Sequence, residues 1–206
     1  MANKELNQIT NDIKDRVSEH RFKHILSVRD TAVKIFNAIQ NKLELQDKKQ
    51  VINNDDFSNK LKLAAILHDS CKELKNEELL ELAAFYSIKI FKEDLNCPNL
   101  LHARVGAKWI EDQYDIMDPY VLKAVEEHTL GGVDMFLSSK ILFLADMIEP
   151  LRTSSQDLEE LRHMVYQEAL IKESLIFAMD RKISYVINKG QKIHPLAIEA
   201  RNSLIH

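Results

Sequence analysis

Apolar residues recur along most of this chain at the i, i+3, i+4 and i+7 spacing that marks one face of an α-helix. A first short helix is predicted from Leu6 to Val17. A second runs from Arg21 to about Leu45, with Phe22, Ile25, Val28, Ala32, Ile35 and Ile39 turned inward. The polar stretch Gln46 to Asp56 interrupts the pattern and reads as a mobile surface loop. A third helix, Phe57 to about Ser70, carries Leu61, Ala64, Ala65 and Leu67. Asn76 is a candidate N-cap for a fourth, with Glu77 and Glu78 in the first turn, where the helix dipole favours negative charge.

Beyond the polar stretch Lys92 to Asn99, a helix is predicted from Leu101 to about Tyr114. Asp118-Pro119 combines a capping side chain with proline at the first helical position. That helix reaches about Thr129, before Gly131-Gly132. The next spans Phe136 to about Ile148 and stops at Pro150. Ser155 is positioned to cap a long helix ending near Gly190, and Pro195 opens a last one reaching about Ser203. The sum is roughly nine helices without a strand pattern, so an all-α bundle forming a single domain is expected over residues 1–206.

Composition supports this picture. Only 4 Gly and 4 Pro punctuate 206 residues, and 45% are hydrophobic, enough for a sizeable core. A net charge of -4 lacks the basic excess of a nucleic-acid binder but leaves room for a local basic pocket. No apolar run approaches the ~20 residues of a membrane span. Met1 to Asn11 has no apolar core of signal-peptide type, so the cytoplasm is the expected compartment. Cys71 and Cys97 form neither a zinc-type pair nor a disulfide framework. The expected partners are small molecules, with neither nucleic acid nor membrane; a homodimer is compatible with the sequence.

Several ionisable residues interrupt the apolar stripes. His24 shares a face with Val28 and Ile35, His68 with Leu61 and Ala64, and His128 with Val121 and Val125. His102 shares one with Val105 and Trp109, and Asp146 follows Leu142 and Phe143. Five predicted helices thus aim a His or an Asp inward. One such residue is ordinarily a hydrogen-bonded core histidine. Five together are harder to bury, because each unpartnered polar group costs roughly 2–7 kcal/mol. A shared metal satisfies all of them, and imidazole with carboxylate suits Fe, Mn or Zn. The adjacent pair His68-Asp69 is the sharpest feature, since helix neighbours point about 100° apart and approach one cluster from two directions.

The series His24, His68-Asp69, Asp146 resembles the H…HD…D signature of the HD superfamily. More narrowly the chain is similar to the bacterial YqeK-type symmetrical dinucleoside tetraphosphatases. The matching stretches are Arg21 to His24, His68 to Glu73, Leu101 to Ala107, Glu127-His128-Thr129, Ile141 to Arg152 and Asn188 to Pro195. They span most of the chain in family order. Glu149 to Arg152 and Lys189 to Pro195 separate this branch from other HD proteins. Two departures stand out: Leu43 to Asn59 looks longer than usual, as a surface insertion, and Met1 to Val17 looks like a helical extension.

The resemblance implies a two-metal centre of iron, with manganese or another divalent metal as alternatives, bound by His24, His68, Asp69 and Asp146. It implies a nucleotide pocket lined by Arg21, Lys72, His102, His128, Thr129 and Arg152, together with Lys189, Gly190, Gln191, Lys192, Ile193 and His194. Without the resemblance, these lysines and arginines would read as solvated surface cations. His20, His163 and His206 match nothing and are expected at the surface. The implied reaction is hydrolysis of diadenosine tetraphosphate to two ADP by metal-activated hydroxide. Asp69 is the candidate bridge, His102 and His128 complete a second metal site or touch phosphate, and Lys72 and Arg152 offset phosphate charge. Two rivals remain: an HD phosphohydrolase for a nucleoside triphosphate, 5′-nucleotide or guanosine tetraphosphate, and a non-catalytic nucleotide-binding module.

Overall fold

The computed structural model describes residues 2–205, all of whose regular structure is helical. In chain order the helices are α1 (Ala2–Arg16), α2 (Glu19–Ile39), α3 (Leu45–Lys48), α4 (Asn54–Leu67), α5 (Asn76–Phe85) and α6 (Lys92–Asn96). They continue with α7 (His102–Tyr114), α8 (Pro119–Glu127), α9 (Leu137–Ile148), α10 (Gln156–His163), α11 (Ile171–Asn188) and α12 (Pro195–Ser203).

Local chemistry explains several starts. Ser18, in extended backbone, accepts the Arg21 amide at 3.2 Å and opens α2. Asn53 does the same for α4 through the Asp56 amide at 2.9 Å, and Asp118 for α8 through Tyr120 at 2.8 Å. Apolar stripes then select the packing. Ile25, Val28, Ala32 and Ile35 on α2 are fully buried, as are Leu61, Ala64 and Ala65 on α4. Helix α2 lies against α4 and α9, α8 packs on α4, α7 and α9, and α11 covers α9 and α12. The core runs from Ile9 to Ala200. Helix α1 joins it through Ile9 and Ile13, while Arg16 donates to the Ser70 carbonyl at 2.7 Å and stacks 4.0 Å from the Trp109 ring.

Several expectations are corrected. The second helix stops at Ile39, and the stretch 46–56 is not loose. Within it Asp47 is buried and accepts Lys140 Nζ at 2.8 and 3.0 Å, and Gln50 Oε1 accepts the Leu137 amide at 2.8 Å. A single buried ion pair is invisible to average polarity. The long helix predicted from Ser155 to Gly190 is two helices, α10 and α11. A π-helical turn at Met164–Glu168 leads into Ala169, whose φ of 57° is left-handed. No glycine or proline announces the break, and apolar spacing continues across it through Val165 and Ala169. Finally, the polar stretch at 92–99 contains α6, and the helices outnumber the expected nine.

No helix among the described residues is long and apolar enough to cross a membrane. His20 and His163 are exposed; His206 lies outside the described residues.

Candidate metal centre and substrate cavity

His68 and His128 occupy equivalent places, each the first residue after the last turn of its helix, α4 or α8. The last carbonyls of a helix lack intrahelical partners. Each ring folds back onto one: His68 Nδ1 lies 2.7 Å from the Ala65 carbonyl and His128 Nδ1 2.7 Å from that of Val125. His102 Nδ1 sits 2.5 Å from the Asn99 carbonyl. That short contact makes Nδ1–H a donor, so Lys72 Nζ, 3.4 Å away, is a neighbour rather than a hydrogen-bond donor to it. His24 Nδ1 faces Glu149 Oε1 at 3.1 Å. A carboxylate only accepts, so this nitrogen also carries the proton. All four Nε2 atoms are left as lone pairs.

These lone pairs converge on carboxylates. His24 Nε2 is 3.1 Å from Asp146 Oδ1, and Asp69 Oδ2 lies 3.6 Å from His24 Nε2 and 3.4 Å from His68 Nε2. Asp69 Oδ1 faces the opposite way, 3.3 Å from His102 Nε2 and 3.6 Å from His128 Nε2. The last two nitrogens stand 3.1 Å apart, with the Thr129 hydroxyl 3.2 and 3.1 Å from them. His24, His68 and Asp146 form one compact donor set, and His68, Asp69 and His128 a second. The buried Nε2 atoms of His24 and His68 have no hydrogen-bond partner. Acceptors converging this closely need a cation between them. The donor set therefore fits divalent metal, with Asp69 able to serve both sides through its two oxygens.

Charge follows the same logic. With no metal bound, a proton takes its place among these atoms: burial would raise the Asp69 carboxyl, but a charged His68, with His102 and His128 beside it, holds it well below the usual range. Burial would likewise raise Asp146, which His24, Arg152 and His68 hold well below it. Burial lowers His102 and pushes His128 down to about 4, so both rings are neutral at neutral pH, the form in which imidazole binds metal. Burial opposes a charge on His68 too, yet Asp69 and then Asp146 raise it above its ordinary value.

Cations surround the cluster. Arg21 Nη1 donates to Asp69 Oδ2 at 2.8 Å. Arg152 donates from Nη2 to Asp146 Oδ1 at 2.5 Å and from Nε to the Asp146 carbonyl at 2.9 Å. Lys72 is lowered by burial beside them. The cluster opens through Asp146 and Thr129 into a cavity of about 690 Å³, a size suited to a nucleotide. Its walls include Arg152, Arg181 and Lys182, with Gln191, Lys192 and Ile193 on another side. Lys189 and Gly190, also predicted for the pocket, are exposed and lie outside its lining. His194 lines it, but its Nδ1 caps α12 through the Leu196 amide at 3.2 Å and its Nε2 stands 3.3 Å from Asp94. Asp94, fully buried, also pairs with Arg104 at 2.5 Å and accepts the Phe91 amide at 2.8 Å. It thereby ties the 191–194 wall to α7.

Two residues at the site escaped the sequence reading. Glu149, 1% exposed, accepts from His24, from Ser27 Oγ at 2.7 Å and from the Leu151 amide at 2.6 Å. Its signal was an acidic residue adjoining the apolar Met147-Ile148 and one turn beyond Asp146. Lys182 is the other. It falls four residues after Ala178 and seven after Leu175, the spacing that picked out the histidines.

The HD domain family model matches residues 21–151, which include every proposed metal ligand. The symmetrical bis(5′-nucleosyl)-tetraphosphatase of Halalkalibacterium halodurans is 30% identical over 94% of this chain and 93% of its own length. The enzyme of that name from Bacillus subtilis is 29% identical, covering 94% of each. A solved structure from Clostridium acetobutylicum, described as a predicted HD superfamily hydrolase involved in NAD metabolism, superposes with a TM-score of 0.83 at 33% identity. It covers 97% of this chain and 96% of that one. With the HD domain model spanning most of its helices and bacterial relatives matching 94% of its length, the chain belongs to the HD-domain family, in the branch that holds these tetraphosphatases.

Proposed function

We propose that this protein is a metal-dependent hydrolase that cleaves diadenosine tetraphosphate symmetrically into two ADP. One observation carries the reading: two histidine–carboxylate sets, joined at His68 and flanked by the two oxygens of Asp69, open into a cavity sized for a nucleotide and walled by cations. The named activity of the full-length relatives supports it. His24, His68, Asp69 and Asp146 hold the metal, with His102 and His128 on the second side of Asp69. Iron is the proposed metal, with manganese able to replace it, since imidazole and carboxylate suit both. Metal at such a site lowers the pKa of a coordinated water and screens phosphate charge.

The chain's own groups do the rest. Nδ1–H bonds to Ala65, Asn99, Val125 and Glu149 orient the histidine rings before substrate arrives. Arg152 and Lys72 neutralise phosphate oxygens, and Arg21 steadies Asp69. Thr129 places a hydroxyl against the His102–His128 side. The 191–193 wall shields the phosphates from water, leaving Lys189 and Gly190 at its rim. The nucleotide and its ADP product are the proposed partners. The cytoplasm is the proposed compartment, in keeping with the free thiols of Cys71 and Cys97.

The deciding experiment incubates purified protein, loaded with iron or manganese, with diadenosine tetraphosphate and separates the products. ADP alone supports the reading. ATP with AMP overturns symmetrical cleavage, and no turnover while guanosine tetraphosphate or a nucleoside triphosphate is hydrolysed overturns the substrate.

A further inference from the structure

Lys182 has no task in the chemistry above, yet it is half-buried in the cavity wall, where its ammonium loses part of its solvation. It stands on the apolar stripe of α11, below the fully buried Leu175 and Ala178. Taking an ammonium out of water is unfavourable unless something replaces the lost solvation. What replaces it here is sparse. Nζ donates to the Thr129 carbonyl at 3.2 Å and lies 4.1 Å from the centre of the Phe143 ring. Arg21, Arg152 and Arg104 are each neutralised by a carboxylate, Asp69, Asp146 and Asp94 respectively. Among the described residues no carboxylate oxygen comes within 4.0 Å of Lys182.

Its two contacts also fix where it is. Thr129 follows His128 at the end of α8, and Phe143 precedes Asp146 by one turn on α9. Lys182 therefore bridges two of the elements that carry the proposed ligands, and it lines the cavity beside Asp146 and Arg152. An ammonium has three N–H donors, and the Thr129 carbonyl takes one. The aromatic face attracts the charge without saturating it. An anion bound in the cavity, next to the proposed metal ligands, would supply the missing partner.

We propose that Lys182 is a catalytic residue that binds the phosphate oxygens of the nucleotide where the cavity meets the metal centre. The assignment rests on the phosphohydrolase reading and deepens it. Lys182 remains protonated throughout and forms no covalent bond; it offsets charge on the phosphoryl group under attack. Arg152 approaches the same group from the α9 side, so the phosphate lies between two cations from different helices.

The test replaces the charge and keeps the length, Lys182→Met, with Lys182→Arg as the charge-retaining control. Metal content by elemental analysis should match wild type. Inorganic pyrophosphate binding to the metal-loaded protein, by calorimetry, should weaken about 10- to 100-fold in the Met variant and recover in part in the Arg variant. kcat/KM on diadenosine tetraphosphate should fall by a similar factor. Wild-type pyrophosphate affinity in Lys182→Met overturns the proposal. So does loss of metal from that variant, which would make Lys182 a support for Asp146. Should Lys182→Met not fold, Lys182→Gln answers the same comparison. Because the pyrophosphate measurement involves no turnover, failure of the wild type to cleave diadenosine tetraphosphate counts against the function alone.

Discussion

Glu149→Gln removes a charge without changing shape, and the structure sets out the consequence atom by atom. Glu149 receives three donors: His24 Nδ1–H on Oε1, and Ser27 Oγ–H with the Leu151 amide on Oε2. A glutamine keeps two of these by placing its carbonyl at the Oε2 position. Its NH₂ then faces His24 Nδ1, donor against donor. The ring escapes by moving its proton to Nε2, which deletes the lone pair that faces Asp146 and Asp69 at 3.1 and 3.6 Å. Restoring that lone pair for a metal means leaving a buried donor unsatisfied, at roughly 1–3 kcal/mol. Metal affinity should fall about 10- to 100-fold, the usual range for losing a carboxylate behind a ligating histidine. The metal-free variant should unfold close to wild type, since the alternative tautomer satisfies every group. At saturating metal, the stabilisation that metal confers should shrink by about 1.4–2.7 kcal/mol, or about 3–11 °C in Tm for a chain of this size. Calorimetric titration with Mn²⁺ and melting curves with and without it test both statements. An affinity within twofold of wild type would refute the bracing role of Glu149.

Other predictions follow from the same geometry. Arg152→Ala should retain its metal, because removing the guanidinium only frees Asp146, while kcat/KM falls about 10- to 100-fold; steady-state kinetics on metal-replete protein decide, and an unchanged value removes Arg152 from the site. Asp94→Ala strands the buried Arg104, so urea denaturation should show a loss of about 3–5 kcal/mol, with KM rising more than kcat falls as the 191–194 wall loosens. For the metal-free protein, His128 titrates at about 4 folded against 6.5 unfolded, so the unfolded chain holds more protons between those values. Stability there rises with pH, and about 3 kcal/mol is lost on acidifying from 6.5 to 4. Asp69 and Asp146, held low, extend the loss below pH 3.8; His68, held high, contributes stability that disappears as pH rises above 6.5. Urea midpoints in EDTA across this range check the sign, and a flat profile would contradict it.

The sequence betrayed those parts of the molecule whose chemistry is local. Pro195 to Ser203 emerges with its predicted limits, and Ser155 accepts the Leu158 amide at 3.4 Å as expected of a cap. The histidines and Asp146 were legible because a polar residue on an apolar stripe is conspicuous. Lys182 carries that signal equally, but a lysine reaches water so readily that its spacing passes for surface. What escaped depends on pairing at long range. Asp47 meets Lys140 across ninety-three positions and Glu149 meets His24 across one hundred and twenty-five, separations at which no pattern identifies the partner. The break at Ala169 depends on one backbone angle that nothing in the residue type demands.

Helix α9 begins at Leu137 behind Phe136, a residue that has no side-chain oxygen with which to cap it. The missing acceptor is supplied from 87 positions earlier, by Gln50 in the segment between α3 and α4, and Lys140 of the same first turn is held there by Asp47. At its other end, this helix carries Asp146. The segment is therefore a prosthetic cap, and its trimming is conditional. A shortened chain would fray the start of α9, at about 1 kcal/mol for a lost cap, unless position 136 became Ser, Asp or Asn in the same step. Loop length and residue 136 should thus change together, whether in an engineered miniature of this protein or over its natural history.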